Sequence, residues 1–251
     1  MLILLPPSEG KASQGNGPPL GELSFPALAK PRERVLKTLM RVSKGRGALT
    51  TLGLTEGLAP ELAKNLALRE AATLPAAELY TGVLYDNLGL ATLSPAARAR
   101  AEESVLIFSG LWGVLRISDR VPPYRLSMGV ALPSVGGLAA YWRPKLAKEL
   151  DRLPGLVVDM RSVTYTAAWQ PGGRAVAVRV LRDGKVVSHM AKATRGEIAR
   201  ALLECGAAPS TPDELAKILD DLGYAARLGE APRAGKPWTL DVDVTDESTP
   251  K

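Results

Sequence analysis

Three short, continuous apolar runs constrain the fold most, because each of them ends directly in polar side chains. The runs cover residues 2–5, 105–108 and 155–158, and runs of this kind are typical of strands buried on both faces of a sheet. In open α/β sheets, ligands bind beyond the carboxyl ends of the strands. We therefore predict that the polar segments after these runs converge on one edge of a sheet and form a site there.

The remaining patterns predict an α/β (α+β) fold with a mixed central sheet and surrounding helices. Apolar spacing predicts helices at residues 31–43, 60–72 (with Leu62, Ala63 and Leu66 inward), 138–153, 193–205 and 212–222. Asp183-Gly184 predicts the turn of a hairpin over residues 174–189, and the chain closes with strands at 224–228 and 238–244. We predict one domain, residues 1–245, with a helix–hairpin–helix-like element at 194–222 and a disordered tail at 246–251.

Composition excludes several classes of protein and site. The 251 residues contain no apolar run near the roughly 20 residues that span a bilayer, so we expect a cytoplasmic chain without membrane contact. Cys205 is the single cysteine, which excludes an internal disulfide, and its place in a helix predicts a buried, inert thiol. His189 is the single histidine, which excludes a multi-histidine metal site. We expect no metal, no cofactor and a monomer, and the formal charge of +6 favours an anionic partner.

The stretch Ser109–Gly129 follows the second apolar run and is rich in charged and aromatic side chains. Pro122-Pro123 forbids a regular helix through its middle, because a proline nitrogen carries no N–H. Such a segment is either a binding surface or a set of internal crosslinks. Its candidate residues are Arg116, Asp119, Arg120, Tyr124 and Arg125, while Trp112-Gly113 is expected to brace it from within.

The other two strand exits supply further candidates. After the first run, Glu9 offers an acceptor or base, Lys11 a cation, and Gly10 allows close approach to a ligand. After the third run come Asp159 and Tyr165, a carboxylate and a phenol. The alternative is that these are ordinary solvated loops, and position alone does not separate the two interpretations.

Lys192, Arg195 and Gly196 open a predicted helix after the hairpin. Free N–H groups at a helix start attract anions, and two neighbouring cations strengthen that field. These residues therefore predict a phosphate site, or else two cations that pair with carboxylates elsewhere in the fold.

Several of these segments together resemble the YaaA family of bacterial peroxide-stress proteins, over nearly the full length. The resemblance rests on Met1–Leu4 with the proline that follows, Tyr80–Gly82, Ser109–Arg116, Pro123–Gly129, Ser162 with Tyr165, and Lys192–Gly196. It implies a cytoplasmic α/β fold with a basic cleft, double-stranded or distorted DNA as partner, and a role in limiting oxidative damage by free iron. The chain departs from one branch of the family at Pro7–Lys11, at Asp159 and at Arg161.

Three hypotheses follow. In the first, the chain binds DNA: Lys11, Arg116, Arg120, Arg125, Lys192 and Arg195 contact phosphates, and Tyr80, Trp112 or Tyr124 stacks on a base. In the second, it is an enzyme for a nucleotide, nucleoside or nucleobase, with Glu9, Asp159 and Tyr165 as acid–base candidates. In the third, the motifs are structural Arg–Asp pairs. The resemblance, rather than the residues, favours the first.

Overall fold

The computed structural model describes residues 1–182, 184–186 and 190–244. The strands, in chain order, are β1 Leu2–Leu5, β2 Leu74–Pro75, β3 Val105–Ser109, β4 Gly113–Arg116, β5 Arg120–Val121, β6 Ala131–Leu132, β7 Gly136–Gly137, β8 Val157–Asp159, β9 Ala175–Arg182, β10 Lys185–Val186, β11 Ala225–Leu228 and β12 Trp238–Asp243. The α-helices are α1 Ala29–Ser43, α2 Ala48–Leu52, α3 Glu61–Leu66, α4 Ala76–Leu79, α5 Val83–Leu88, α6 Pro95–Ser104, α7 Leu138–Leu150, α8 Val163–Thr166, α9 Met190–Cys205 and α10 Pro212–Asp221.

A mixed central sheet carries the fold, as the sequence predicts. Its strand order is β11-β12-β9-β8-β1-β3-β4, and β10 pairs with β9. The five central strands β12, β9, β8, β1 and β3 run parallel to one another, whereas the edge strands β11 and β4 run antiparallel to them. All four residues of β1 are buried, because helices cover both faces of a parallel sheet.

The three predicted buried strands are neighbours in this sheet. β1 lies between β3 and β8, with Ile3 opposite Val105 on one side and Val158 on the other. β3 and β4 lie on one side of β1, and the later strands β8 and β9 lie on the other. The strand order therefore reverses at β1, which places a topological switch point beside its carboxyl end. Ligand sites in open α/β sheets lie at such points. The predicted convergence of the polar strand exits is confirmed.

Most of the predicted helices are present with shifted ends. α7 buries Trp142, Leu146 and Leu150 on one face, as its spacing predicts. The helix predicted at 60–72 is the short α3, and its buried residue is Asn65. Leu62 is half-buried, but Ala63 and Leu66 are exposed, so the expectation was wrong for those two. The tail at 246–251, the boundary at 245, and Asp183 and His189 of the hairpin lie outside the described residues.

The predicted helix–hairpin–helix outline is present only as two successive helices. α9 packs against α5, α6 and β9, whereas α10 packs against β11. α9 also begins at Met190, three or four residues before the predicted start. Nothing in this arrangement supports a DNA-binding hairpin. Among the described residues, no helix is both long enough and apolar enough to cross a membrane.

Candidate functional site

A cleft of about 530 Å³ opens at the carboxyl end of β1. This volume is in the range of small-molecule sites, which is roughly 300–1,000 Å³. Residues from every predicted polar segment line it. Its charged and hydroxyl-bearing lining residues are Ser8, Glu9, Lys11, Thr81, Tyr85, Arg125, Ser127, Ser162, Thr164, Tyr165 and Lys192.

Lys11 lies in the cleft with its ammonium group over two aromatic rings. Nζ lies 4.7 Å from the ring centre of Tyr124 and 5.5 Å from that of Tyr80, and it donates to the carbonyl of Ser8 at 2.7 Å. Burial, and then the positive charge of Arg125, lower the pKa of Lys11 from 10.5 to about 7. Lys11 is therefore a lysine whose neutral amine is populated near neutral pH.

The two tyrosines beneath Lys11 belong to a buried chain of hydroxyl groups. The Tyr124 hydroxyl lies 2.6 Å from Ser109 Oγ and 2.9 Å from the Tyr80 hydroxyl. Ser109 Oγ also accepts the backbone N–H groups of Leu111 and Trp112. Burial raises the pKa of Tyr80 and of Tyr124 above the ordinary 10. The hydroxyl hydrogen bonds therefore fix both tyrosine rings under the Lys11 amine, and burial keeps both phenols neutral.

Arg125 lies in the cleft opposite Glu9. Its guanidinium donates to the Glu9 carbonyl at 3.2 Å and to Glu9 Oε2 at 3.2 Å. The buried amide of Asn65 holds the Arg125 backbone in place, because it accepts the Arg125 N–H at 2.8 Å and donates to the Arg125 carbonyl at 2.9 Å. The Glu9 side chain is 88% exposed, so its contact with Arg125 is open to displacement by an anion.

Tyr165 and Lys192 complete the polar lining. The Tyr165 hydroxyl accepts the N–H of Met128 at 3.4 Å, and burial raises the pKa of Tyr165 above 10. Lys192 lies in the first turn of α9 and is exposed, so its charge faces the mouth of the cleft. Five predicted site residues thus share one cleft: Glu9, Lys11, Arg125, Tyr165 and Lys192.

Asp159 does not join them, which corrects the expectation that it is an acid–base group. Its carboxylate pairs with Arg161 through Oδ1 at 2.8 Å and Oδ2 at 2.6 Å, and both side chains are buried. The Arg161 guanidinium also packs 4.1 Å from the ring centre of Phe108. Because both oxygens of this buried carboxylate accept hydrogen bonds from Arg161, Asp159 stabilises the segment that follows β8.

Arg116 and Arg120, both predicted to bind phosphate, are engaged in internal contacts. Arg116 donates to the carbonyls of Glu102 and Glu103 at the end of α6. Arg120 donates to Asn16 Oδ1 and to the carbonyl of Thr73, each at 3.1 Å. Neither residue lines the cleft, so for these two the structure supports the crosslinking alternative.

The rings of Trp112, Tyr80 and Tyr124 are 1% exposed, which corrects the expectation that they stack on a base. Trp112 packs edge-on against Tyr124 with ring centres 6.3 Å apart. It therefore braces the loop from within, as the sequence predicts. Stacking on a base requires an open ring face, and these three rings have none.

Arg195 and Gly196 lie in the second turn of α9, beyond the N–H groups of its start. Arg195 donates to the carbonyl of Val178 at 3.1 Å, and burial lowers the pKa of its guanidinium. A Cβ at Gly196 would lie 2.2 Å from the Leu84 carbonyl, so this glycine allows α9 to pack on α5. Of these three residues, Lys192 alone lines the cleft.

The described residues contain no group of three or more His, Cys, Asp or Glu side chains that could hold a metal ion. Cys205 is the last residue of α9 and is exposed, so the prediction of a buried thiol was wrong. The helix ends at this position, and the following Gly206 has φ of +71°.

Two supporting residues, Arg32 and Asn65, were not identified from the sequence, whereas Asp119 was a candidate and takes the crosslinking alternative. The buried Arg32 donates to the carbonyls of Ser24, Trp112 and Val114 at 2.7–2.9 Å. Asp119 accepts from Ser24 and from the backbone of Arg116 at 2.8 Å. For Arg32 and Asn65 the available signal was a polar residue within a helix, because a buried polar group requires a partner.

Comparison with known proteins places this architecture in a family. The family model described as "Peroxide stress protein YaaA" matches residues 1–228. A UPF0246 protein of Streptomyces coelicolor is 52% identical over 97% of this chain and 98% of its own length. A UPF0246 protein of Corynebacterium efficiens is 42% identical over 97% of this chain and 100% of its own.

Proposed function

The chain belongs to the YaaA family of peroxide stress proteins, and we propose that it serves that response through the cleft, by binding a nucleotide or a closely related small phosphorylated molecule and acting on it. The observation that carries the proposal is the meeting of Lys11, Arg125 and Lys192, from three distant segments, in one cleft of about 530 Å³. Two cations, Arg125 and Lys192, and the Lys11 amine around a small volume suit a compact anion.

The apolar part of the cleft supports a ligand with a ring as well as a phosphate. Pro6, Pro7, Val83, Leu84, Tyr85 and Leu126 line it beside the charged groups. Mostly apolar walls with a few convergent polar groups are typical of small-molecule sites. A base or sugar lying against these side chains would leave its phosphate near Arg125 and Lys192.

Acid–base groups are available in the same cleft. The Glu9 carboxylate is exposed and the Tyr165 hydroxyl is neutral, so one accepts a proton where the other donates. Phosphate binding to Arg125 would displace Glu9 from it and free the carboxylate. We therefore favour an enzyme, the second of the hypotheses drawn from the sequence.

A thermal-unfolding panel with nucleoside mono-, di- and triphosphates tests the proposal. A ligand at 100 times its Kd stabilises the fold by about 2.7 kcal/mol, so we expect Tm to rise by about 5–10 °C. Arg125→Gln should remove the shift. Arg143→Gln is the matched control, because Arg143 is exposed, bonds the Ala167 carbonyl and lies outside the cleft. No shift with any compound would contradict the proposal.

DNA binding is the alternative drawn from the family resemblance, and the charge of +6 favours an anionic partner of either kind. The two differ in salt dependence. A protein that contacts several phosphates loses affinity by orders of magnitude between 50 and 200 mM salt. An anisotropy titration with duplex and branched DNA across that range separates the two ligands: steep salt dependence with no nucleotide-induced Tm shift would support DNA.

A further inference from the structure

We propose that Lys11 is a nucleophile that forms an imine with a phosphorylated aldehyde, such as the open-chain sugar phosphate that remains when a nucleotide loses its base. The inference rests on the proposed function, because it takes the same cleft and names the ligand class. Three features of the Lys11 environment carry it: its missing counter-ion, its aromatic support and its position beside an anion anchor.

The Lys11 amine has no carboxylate partner among residues 1–182, 184–186 and 190–244. The two carboxylates that influence it most are paired elsewhere: Glu9 with Arg125 at 3.2 Å and Glu61 with Lys64 at 2.6 Å. Its one hydrogen bond goes to the Ser8 carbonyl, which accepts from an amine or an ammonium alike. An enclosed amine without a counter-ion is deprotonated easily, and lysines in such surroundings are nucleophilic.

The rings under Lys11 hold its direction of attack. Tyr80 and Tyr124 are fixed by their hydroxyl chain and lie against the amine of Lys11, which itself lines the cleft. An isolated antiparallel β-bridge also joins the backbone of Lys11 to that of Tyr80. Both the donor atom and its support are therefore rigid, which favours reaction at one geometry.

Arg125 and Lys192 supply the anchor for the phosphate. Both line the cleft that contains Nζ, so an aldehyde held through its phosphate lies within the volume that the amine faces. The hydroxyl groups of Ser127, Ser162 and Tyr165 line the same volume and are available to bond the carbonyl oxygen.

The step balances without an oxidant or reductant. The lone pair of the neutral amine attacks the aldehyde carbon, and the electron pair of the broken C=O π bond moves to oxygen. The two hydrogens of the amine then leave with that oxygen as one water, and a C=N bond remains. The cleft supplies the amine, and the sugar phosphate supplies the carbonyl.

Reductive trapping tests the inference. The full chain is incubated with ribose 5-phosphate and sodium cyanoborohydride at pH 7, and the modified lysine is located by peptide mass spectrometry. We expect Lys11 to be labelled at least about tenfold faster than Lys145, which also lies over a tyrosine ring and donates to a carbonyl but is outside the cleft. Unphosphorylated ribose should label Lys11 more slowly, and inorganic phosphate should protect it.

Lys11→Arg and Lys145→Arg are the matched variants. Lys11→Arg keeps the positive charge and should abolish the adduct, whereas Lys145→Arg should leave labelling at Lys11 unchanged. Equal labelling of Lys11 and surface lysines, or no adduct at all, would overturn the inference. If nucleotides still raise Tm in that case, the cleft remains an anion site and only the imine is wrong; if they do not, the proposed function falls as well.

Discussion

At the scale of single residues, Lys11 shows how a common side chain acquires unusual chemistry. A lysine in a loop is ordinarily solvated and cationic. Here burial, and then the positive charge of Arg125, lower its pKa to about 7, while its amine lies over the rings of Tyr80 and Tyr124. The sequence singled out Lys11 as a cation, but the loss of its charge near neutral pH depends on residues far along the chain.

This shift predicts a pH dependence of stability. The pKa of Lys11 is about 7 in the folded chain and 10.5 ordinarily, so the unfolded chain binds more protons between these values. Stability from this group therefore rises as pH increases from 7 toward 10.5. Lys11→Met removes the titration, so we expect the wild type to gain stability relative to Lys11→Met between pH 6.5 and 9.5, measured as the difference in urea midpoints.

The other groups around Lys11 are Glu9, Glu61, Lys64 and Arg125, together with the two tyrosines. All of them are present in both proteins, so their own titration largely cancels in the comparison. A gap between the two midpoints that stays constant across this range, or widens in favour of Lys11→Met at high pH, would mean that Lys11 keeps its charge.

At the scale of elements, the tertiary packing of a helix, rather than its apolar periodicity, decided which of its residues are buried. The strands were predictable because continuous apolar runs of only four or so residues are typical of strands in the buried centre of a sheet. α3 was predicted with Leu66 inward, but its buried residue is Asn65, whose amide bonds the Arg125 backbone. Apolar periodicity identifies only the apolar face of a helix. It therefore cannot predict that a helix buries a polar side chain for a tertiary contact.

Gly196 gives a prediction at this scale. Its missing Cβ lets α9 approach the Leu84 carbonyl, and α5 supplies Val83, Leu84 and Tyr85 to the cleft wall. Gly196→Ala should push the helices apart and destabilise the fold by about 1–3 kcal/mol, measured by urea unfolding. Gly57→Ala is the control, because nothing lies within 4 Å of the added Cβ and its φ is not positive.

Equal stability of the two alanine variants would show that α9 and α5 pack less closely than the structure describes. If Gly196→Ala loses nucleotide binding and Gly57→Ala keeps it, the contact between α5 and α9 determines the shape of the cleft wall.

At the scale of the whole molecule, the arginines divide into two classes that the sequence does not distinguish. Arg32, Arg116 and Arg120 join distant segments through backbone carbonyls. Arg125 faces the cleft, where its side-chain contacts are with the exposed Glu9. The first class stabilises the fold, and the second is available to a ligand.

Two substitutions separate these classes. Arg32→Met removes the guanidinium that bonds the buried Trp112 and Val114 carbonyls and the half-buried Ser24 carbonyl, so we expect a loss of about 3 kcal/mol in the free energy of unfolding. Arg125→Gln should lower the free energy of unfolding by about 1 kcal/mol at most, because the Glu9 carboxylate that Arg125 contacts is 88% exposed. Urea unfolding measures both, and a strongly destabilised Arg125→Gln would make Arg125 a structural crosslink.

The sequence alone determined the central strands, the class of fold, the polar strand exits that hold Glu9, Lys11 and Tyr165, and the helix start that holds Lys192. It could do so because burial and alternation are local properties of a chain. Only the tertiary structure decided which charges face the cleft. Arg32 bonds a carbonyl 80 residues away and Arg125 meets a carboxylate 116 residues away, and the partner at such a distance sets whether a guanidinium crosslinks the fold or remains free for an anion.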